Sequence, residues 1–222
     1  MLGNLLLPRV IAPVPKPPTW LRGDWRFSAG AGSKLYDQSR YRNHGTIVGA
    51  DWTTGLLGYA LDFNGSTDYV SIPDAPSLDI VPPMSIELVF TPDVVDADDG
   101  IIDKGDSTDS EWGLSLTSKR LRFWGAVYTI VGDNGTDLAV ATRYHAVVTY
   151  DGATVIFYID GEEDRTTWKV QTIATNAKPL YLGRYYSGGV YSFNGKLELV
   201  RPYGLVLAPS EVKARYNSLF RS

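Results

Sequence analysis

Apolar and polar residues alternate along much of this chain with a period of two. Over residues 84–90 (MSIELVF), Met84, Ile86, Leu88 and Phe90 fall on one face and Ser85 and Glu87 on the other, which predicts a strand with one buried face. Residues 144–150 (YHAVVTY) and 154–160 (TVIFYID) are rich in β-branched and aromatic side chains, and the Asp151-Gly152 pair between them predicts a hairpin. Further strand-like runs occupy 45–49, 59–64, 69–72, 112–117, 120–130, 179–184 and 190–203. Turn dipeptides separate them: Asn64-Gly65, Asp99-Gly100, Asn134-Gly135, Gly188-Gly189 and Asn194-Gly195. Short strands at this spacing predict a sandwich or barrel, not parallel βαβ units. One helix is expected over 209–219, where Pro209 suits the first helical position and Val212, Tyr216 and Leu219 recur at helical spacing. Placed after the last strand, it would cover an edge or one end of the sandwich.

The first residues break this pattern. Pro8, Pro13, Pro15, Pro17 and Pro18 rule out a helix or an inner strand and favour extended polyproline geometry. The expected division is an extended N-terminal arm over 1–19 and a globular body over 20–222. Leu2, Leu5, Leu6, Leu7, Val10, Ile11 and Val14 make the arm too apolar for a solvated tail, so it is expected to dock on a neighbouring subunit. It lacks a basic leading segment and Pro8 interrupts its apolar run, so it is not read as a secretion signal.

Composition narrows the chemistry. Of 25 acidic residues only Glu87, Glu111, Glu162, Glu163, Glu198 and Glu211 are glutamates, an Asp excess that suits turns over helices. A net charge of −4 gives no basic field for nucleic acid or an anionic membrane, and no apolar run approaches 18 residues. Without cysteine there are no disulfides, thiolate metal sites or thiol nucleophiles.

Several stretches carry a family resemblance in their order along the chain. They are Trp25-x-Phe27, Tyr36-Asp37-x-Ser39, Asn43-His44-Gly45-Thr46 and Gly58-Tyr59-Ala60-Leu61-Asp62-Phe63-Asn64-Gly65, then Ile102-Asp103-Lys104-Gly105 and Trp112-Gly113-Leu114. Tyr144 to Gly152, Phe157 to Gly161, Leu180 to Gly183 and Phe193-Asn194-Gly195 follow. Over residues 20–218 the chain resembles the laminin-G-like branch of the concanavalin A-like lectin and glucanase superfamily. The resemblance implies a two-sheet antiparallel jelly-roll sandwich working as a recognition or adhesion module for a carbohydrate or protein surface. With the arm, it suggests a surface subunit of a larger assembly, such as a phage virion, or another extracellular surface. Where relatives carry an Asp that helps hold calcium, this chain has Glu198.

Catalysis is not expected. No Glu-x-Asp-x-Glu run sets two carboxyls on one strand face, as a retaining glucanase needs, and there is no Gly-x-Ser-x-Gly, His-Glu-x-x-His or phosphate-binding loop. His145 reads as a packed strand residue and His44 as a turn residue. Two features point to ligands. The acidic stretch 93–111 supplies Asp96, Asp98, Asp99, Asp103 and Asp106 as hard oxygen donors for a structural Ca²⁺, with Asp37 or Asp62 as alternatives. The competing reading is a pair of solvated turns flanking a strand at Ile101–Lys104. The second feature is the loop with Tyr185, Tyr186 and Tyr191, whose rings suit the apolar faces of sugars. Trp168 and Arg165, read as a further loop, are expected on the same rim.

Overall fold

The computed structural model describes residues 17–56, 58–106, 109–125, 129–185 and 191–220. In chain order the strands are β1 (Lys34–Leu35), β2 (Gly45–Val48), β3 (Asp51–Gly55), β4 (Gly58–Asn64), β5 (Tyr69–Ile72), β6 (Met84–Pro92), β7 (Asp98–Asp106), β8 (Asp109–Thr117) and β9 (Arg120–Gly125). They continue as β10 (Thr129–Asp133), β11 (Tyr144–Tyr150), β12 (Thr154–Ile159), β13 (Glu162–Trp168), β14 (Leu180–Leu182), β15 (Arg184–Tyr185), β16 (Tyr191–Ser192) and β17 (Asn194–Tyr203), before the helix α1 (Pro209–Phe220).

These strands form the predicted two-sheet sandwich. One sheet runs β13-β12-β11-β6-β17-β4-β3, and the other β1-β2-β5-β14-β7-β8-β9-β10 with the β15–β16 hairpin attached to β7. Pairing is antiparallel except for one parallel bridge between Ser192 and Gly100. The chain enters through bridges from Leu21 to Tyr203 and from Trp25 to Val200, which lengthen the seven-stranded sheet beside β17. No helix among the described residues is long and apolar enough to cross a membrane.

The alternation read from residues 84–90 holds: Met84, Ile86, Leu88 and Phe90 all lie in the core between the sheets. From β11 and β12 come Tyr144, Ala146, Val148, Val155 and Phe157, and from the other sheet Ile102, Leu114 and Phe123. Fully burying side chains of this size contributes about 1.5–3 kcal/mol each. Asp151 closes the predicted hairpin by accepting from the N–H groups of Ala153 and Thr154.

The helix covers the β13 edge, where Lys213 pairs with Glu162, and reaches further than expected. It lies over the outer face of the seven-stranded sheet, where Val212 joins Val147, Tyr158, Tyr203 and Leu207 in a second apolar cluster. The reason is visible in β11, which is buried on both faces: its outer side carries His145, Val147 and Thr149, and Val147 needs apolar cover. Under the helix, Glu87 is wholly buried. Its carboxylate meets His145 Nε2 at 3.0 Å and Arg201 at 3.4 Å, and accepts from the Tyr203 hydroxyl. These partners outweigh burial and hold its carboxyl down at about 2. A correction concerns Arg165 and Trp168, expected in a loop: they lie on β13, an edge strand largely exposed along its length.

Candidate functional site

The outer face of the ten-stranded sheet gathers aromatic side chains from five strands. Register pairs run across it in one row, from Ser71 to Tyr181, Asp103, Gly113 and Trp124. Gly113 makes room for the neighbouring indole, since a Cβ there would collide with the Trp124 ring. Trp124 Nε1 donates to Ser110 Oγ at 3.2 Å, and that hydroxyl donates to Asp103 Oδ1 at 2.7 Å, which fixes the orientation of the indole. Asp103 is therefore fully buried beneath this face.

The β15–β16 hairpin lies across the sheet beside Trp124. Its seat is Gly100, where any Cβ would strike the backbone of Arg184 and Tyr185. Tyr185 and Tyr191 are register partners, their rings stacked 4.7 Å apart at 8°. The edge of Trp124 meets Tyr185 at 5.2 Å. The Tyr185 hydroxyl donates to Asp98 Oδ2 at 2.7 Å, which ties the hairpin to β7. On the other side, the Arg184 guanidinium sits 3.4 Å from the Tyr69 ring centroid and 4.4 Å from that of Tyr181. Trp124 is 3% exposed and Tyr191 37%, so the indole supports and the tyrosine presents surface.

Two of the four predicted ligand-binding aromatics, Tyr185 and Tyr191, thus share one site. Tyr186 lies outside the described residues. Trp168 does not share the rim: it is three-quarters exposed on β13, at the edge of the opposite sheet. Sequence reasoning missed Tyr69, Trp124, Tyr181 and Arg184. A signal was present, because each of the three rings occupies the polar phase of an alternating strand, beside inward Val70, Phe123 and Leu180 or Leu182.

The predicted metal ligands do not converge. Asp96 is exposed, Asp98 holds Tyr185, and Asp103 holds Ser110. Asp106 pairs with Lys178 at 2.6 Å. Asp99 turns to the inner side, where burial and the charge of Asp98 push its carboxyl up to about 6. Both Asp37 oxygens are engaged by the backbone of Asp24, Ser39 and Asn43 and by the Ser39 hydroxyl, so this carboxylate folds the 37–43 loop. In the same loop the Asp37 N–H donates to His44 Nδ1 at 3.0 Å, so His44 helps to hold the turn. Asp62 opens onto a pocket of about 190 Å³ with Asp51 and Asp68, and burial raises its pKa. Among the described residues no group of three or more His, Asp or Glu is placed to hold a metal ion.

A two-sheet antiparallel sandwich of this strand order fits a jelly-roll domain. The chain belongs to the laminin-G-like family of the concanavalin A-like lectin/glucanases superfamily, whose family model matches residues 64–213. No curated protein matches it. Among solved structures it is similar to domain 4 of AbnA, an extracellular arabinanase from Geobacillus stearothermophilus, in complex with arabinotriose. That likeness has 21% identity and a TM-score of 0.70 and covers 87% of this chain and 97% of that one. The binding domain of Paraclostridial Mosquitocidal Protein 1 is similar at 14% identity and a TM-score of 0.73, over 91% of this chain and 53% of that one. A Trypanosoma rangeli sialidase is similar at 19% identity and a TM-score of 0.67, over 97% of this chain but only 35% of that one. The chain therefore spans about half of the toxin chain and a third of the sialidase, and these likenesses show the fold.

Proposed function

We propose that this chain is a non-catalytic recognition module that binds a glycan or a protein surface across the outer face of its ten-stranded sheet. The observation that carries this reading is the Tyr185–Tyr191 stack braced by Trp124. Such rings are broad and rigid, with polar tips, so they contact apolar sugar faces or a protein surface at little entropic cost. The solved arabinanase domain with arabinotriose and the toxin binding domain support the reading as relatives in fold.

The absence of catalysis is part of the proposal. A retaining glycosidase needs two carboxyls about 5–5.5 Å apart, one of them held protonated. Glu87 is held ionised under α1 on the other sheet, and Glu198 is buried against Arg143 at 2.6 Å.

The biological setting is proposed on sequence grounds. The proline-rich, apolar arm of residues 1–19 suits docking on a neighbouring subunit, in keeping with a surface subunit of an assembly such as a phage particle. Residues 1–16 lie outside the described residues. A purely structural subunit would assemble in the same way but bind no glycan.

The test is a glycan array, followed by calorimetric titration of arabinotriose and of any array hit against wild type and Tyr191→Ala. Selective binding by wild type that weakens in the variant is expected. No binding to any glycan or protein surface, or equal affinity in both proteins, would overturn the reading.

A further inference from the structure

Lys104 lies on β7 with its side chain turned between the sheets, in register with Trp112 on one side and Leu180 on the other. It is wholly buried. Six oxygens surround its Nζ: Lys178 O at 2.8 Å, Asp74 Oδ1 at 2.9 Å, Asn176 O at 3.2 Å, and Asn176 Oδ1, Asp79 Oδ1 and Glu111 Oε1 each at 3.3 Å. An ammonium has three protons to give, so the shell offers about twice the acceptors it can use.

The charges are also mismatched. Three carboxylates face one positive charge, and Glu111 Oε2 is buried without a hydrogen-bond partner among the described residues. Burial accordingly pushes the Glu111 carboxyl up to about 7 despite its bonds to Asn176 and Lys104, while those acidic partners raise Lys104. Carboxylates, main-chain carbonyls and a side-chain amide oxygen, about six in number, are the donor set of a Ca²⁺ site.

We propose that the Lys104 ammonium stands in this shell as a tethered substitute for a divalent cation: with the ammonium in place the shell is not a metal site, and removing it turns the position into a Ca²⁺ site. With the ammonium in place no metal is needed: Lys104 ties β7, β8 and the segments 74–79 and 176–178 together at one end of the sandwich. Calcium–oxygen distances run about 2.3–2.6 Å, so the oxygens must move inward by roughly half an ångström. Five of the six come from residues outside the strands, where such movement is easiest, and only Glu111 comes from a strand. A divalent ion would also leave less uncompensated negative charge than the ammonium does. Mg²⁺ demands shorter, near-ideal octahedral geometry and is the weaker candidate.

The test compares wild type, Lys104→Ala and Lys104→Met. Each is melted in EDTA and in millimolar Ca²⁺, and each is titrated with Tb³⁺ while exciting the adjacent Trp112. In Lys104→Ala the carboxylates lose their counter-charge, so melting in EDTA falls below wild type. Ca²⁺ at tenfold excess over its Kd then raises it by about 3–6 °C, and sensitised Tb³⁺ emission appears. Lys104→Met fills the space without charge and, like wild type, shows neither effect. Adding Glu111→Gln to Lys104→Ala weakens the Ca²⁺ response. A Lys104→Ala protein with the same Ca²⁺ and Tb³⁺ response as wild type, or one unfolded in both buffers, would overturn the proposal.

Discussion

Tyr185 lies face to face with Tyr191, the ring centroids 4.7 Å apart and the planes 8° from parallel, with the Tyr185 hydroxyl anchored on Asp98. Tyr185 is the positioning partner and Tyr191, at 37% exposure, the presenting one. Tyr191→Ala is therefore expected to cost about 2 kcal/mol of ligand affinity, as central interface aromatics do, with little change in melting temperature. Tyr185→Phe keeps the stack and loses only the Asp98 bond, so its affinity should fall less. Calorimetric titration beside a thermal melt separates these outcomes, and a Tyr191→Ala protein that binds as wild type removes the site.

How much of this was legible follows from where period two survives. Met84 to Phe90 alternate because one face of β6 is core, so the inner face was readable. Residues 162–168 were not, because an edge strand exposed along its length shows no alternation, and Trp168 was placed on the wrong rim. Tyr185 and Tyr191 stood out as a tyrosine-rich loop, yet their bracing by Trp124 depends on a register of β7, β8 and β9 that no local pattern encodes. Counting carboxylates over 93–111 suggested convergence. The β7–β8 hairpin instead sends Asp98 and Asp103 outward and Asp99 inward. The partners of Lys104 lie up to 74 residues away, beyond any spacing argument.

Acid sensitivity should trace to Glu87. Its carboxyl is held at about 2 in the folded chain against an ordinary 4.5. The unfolded chain therefore binds the proton first, and stability present above pH 4.5 is lost as pH falls towards 2. The full effect is about 3 kcal/mol. Glu87→Gln should flatten this acid limb in urea unfolding measured from pH 5 to 2. It should also destabilise the chain at neutral pH, by about 3 kcal/mol at most, because the charge facing His145, Tyr203 and Arg201 is lost while Arg201 keeps its buried pair with Asp24 at 2.7 Å. An unchanged acid limb in the variant would show that other carboxylates govern acid unfolding.

Asp99 acts with the opposite sign. It is 6% exposed, Oδ2 has no hydrogen-bond partner among the described residues, and its carboxyl titrates at about 6 instead of 3.8. The folded chain then binds the proton more tightly, so stability present below pH 4 is lost as pH rises through 6. Asp99→Asn removes the charge with little change of shape. It should raise stability at pH 8 by about 2–3 kcal/mol at most, and leave it nearly unchanged at pH 4. Equal shifts at both pH values would mean that packing, not charge, decides the effect.

The arm can be tested without disturbing the sheet. The entering chain is tied to the sheet between Pro18 and Trp25: Leu21 N donates to Pro18 O, Arg22 N to Pro202 O, and Trp25 exchanges two backbone bonds with Val200. Deleting residues 1–16 leaves all of these in place, so the body is expected to keep its fold and nearly its melting temperature. The deleted segment carries Leu2, Leu5, Leu6, Leu7, Val10, Ile11 and Val14, with Pro8, Pro13 and Pro15 between and after them. Those prolines limit the entropy lost when an extended strip docks on another surface. If that surface belongs to a neighbouring subunit, the truncated protein should bind its glycan or protein ligand normally while association with its assembly partner fails in sedimentation or co-purification. A truncated chain that melts far below the full one would instead make the arm part of this domain's own core, and the assembly proposal would lose its support.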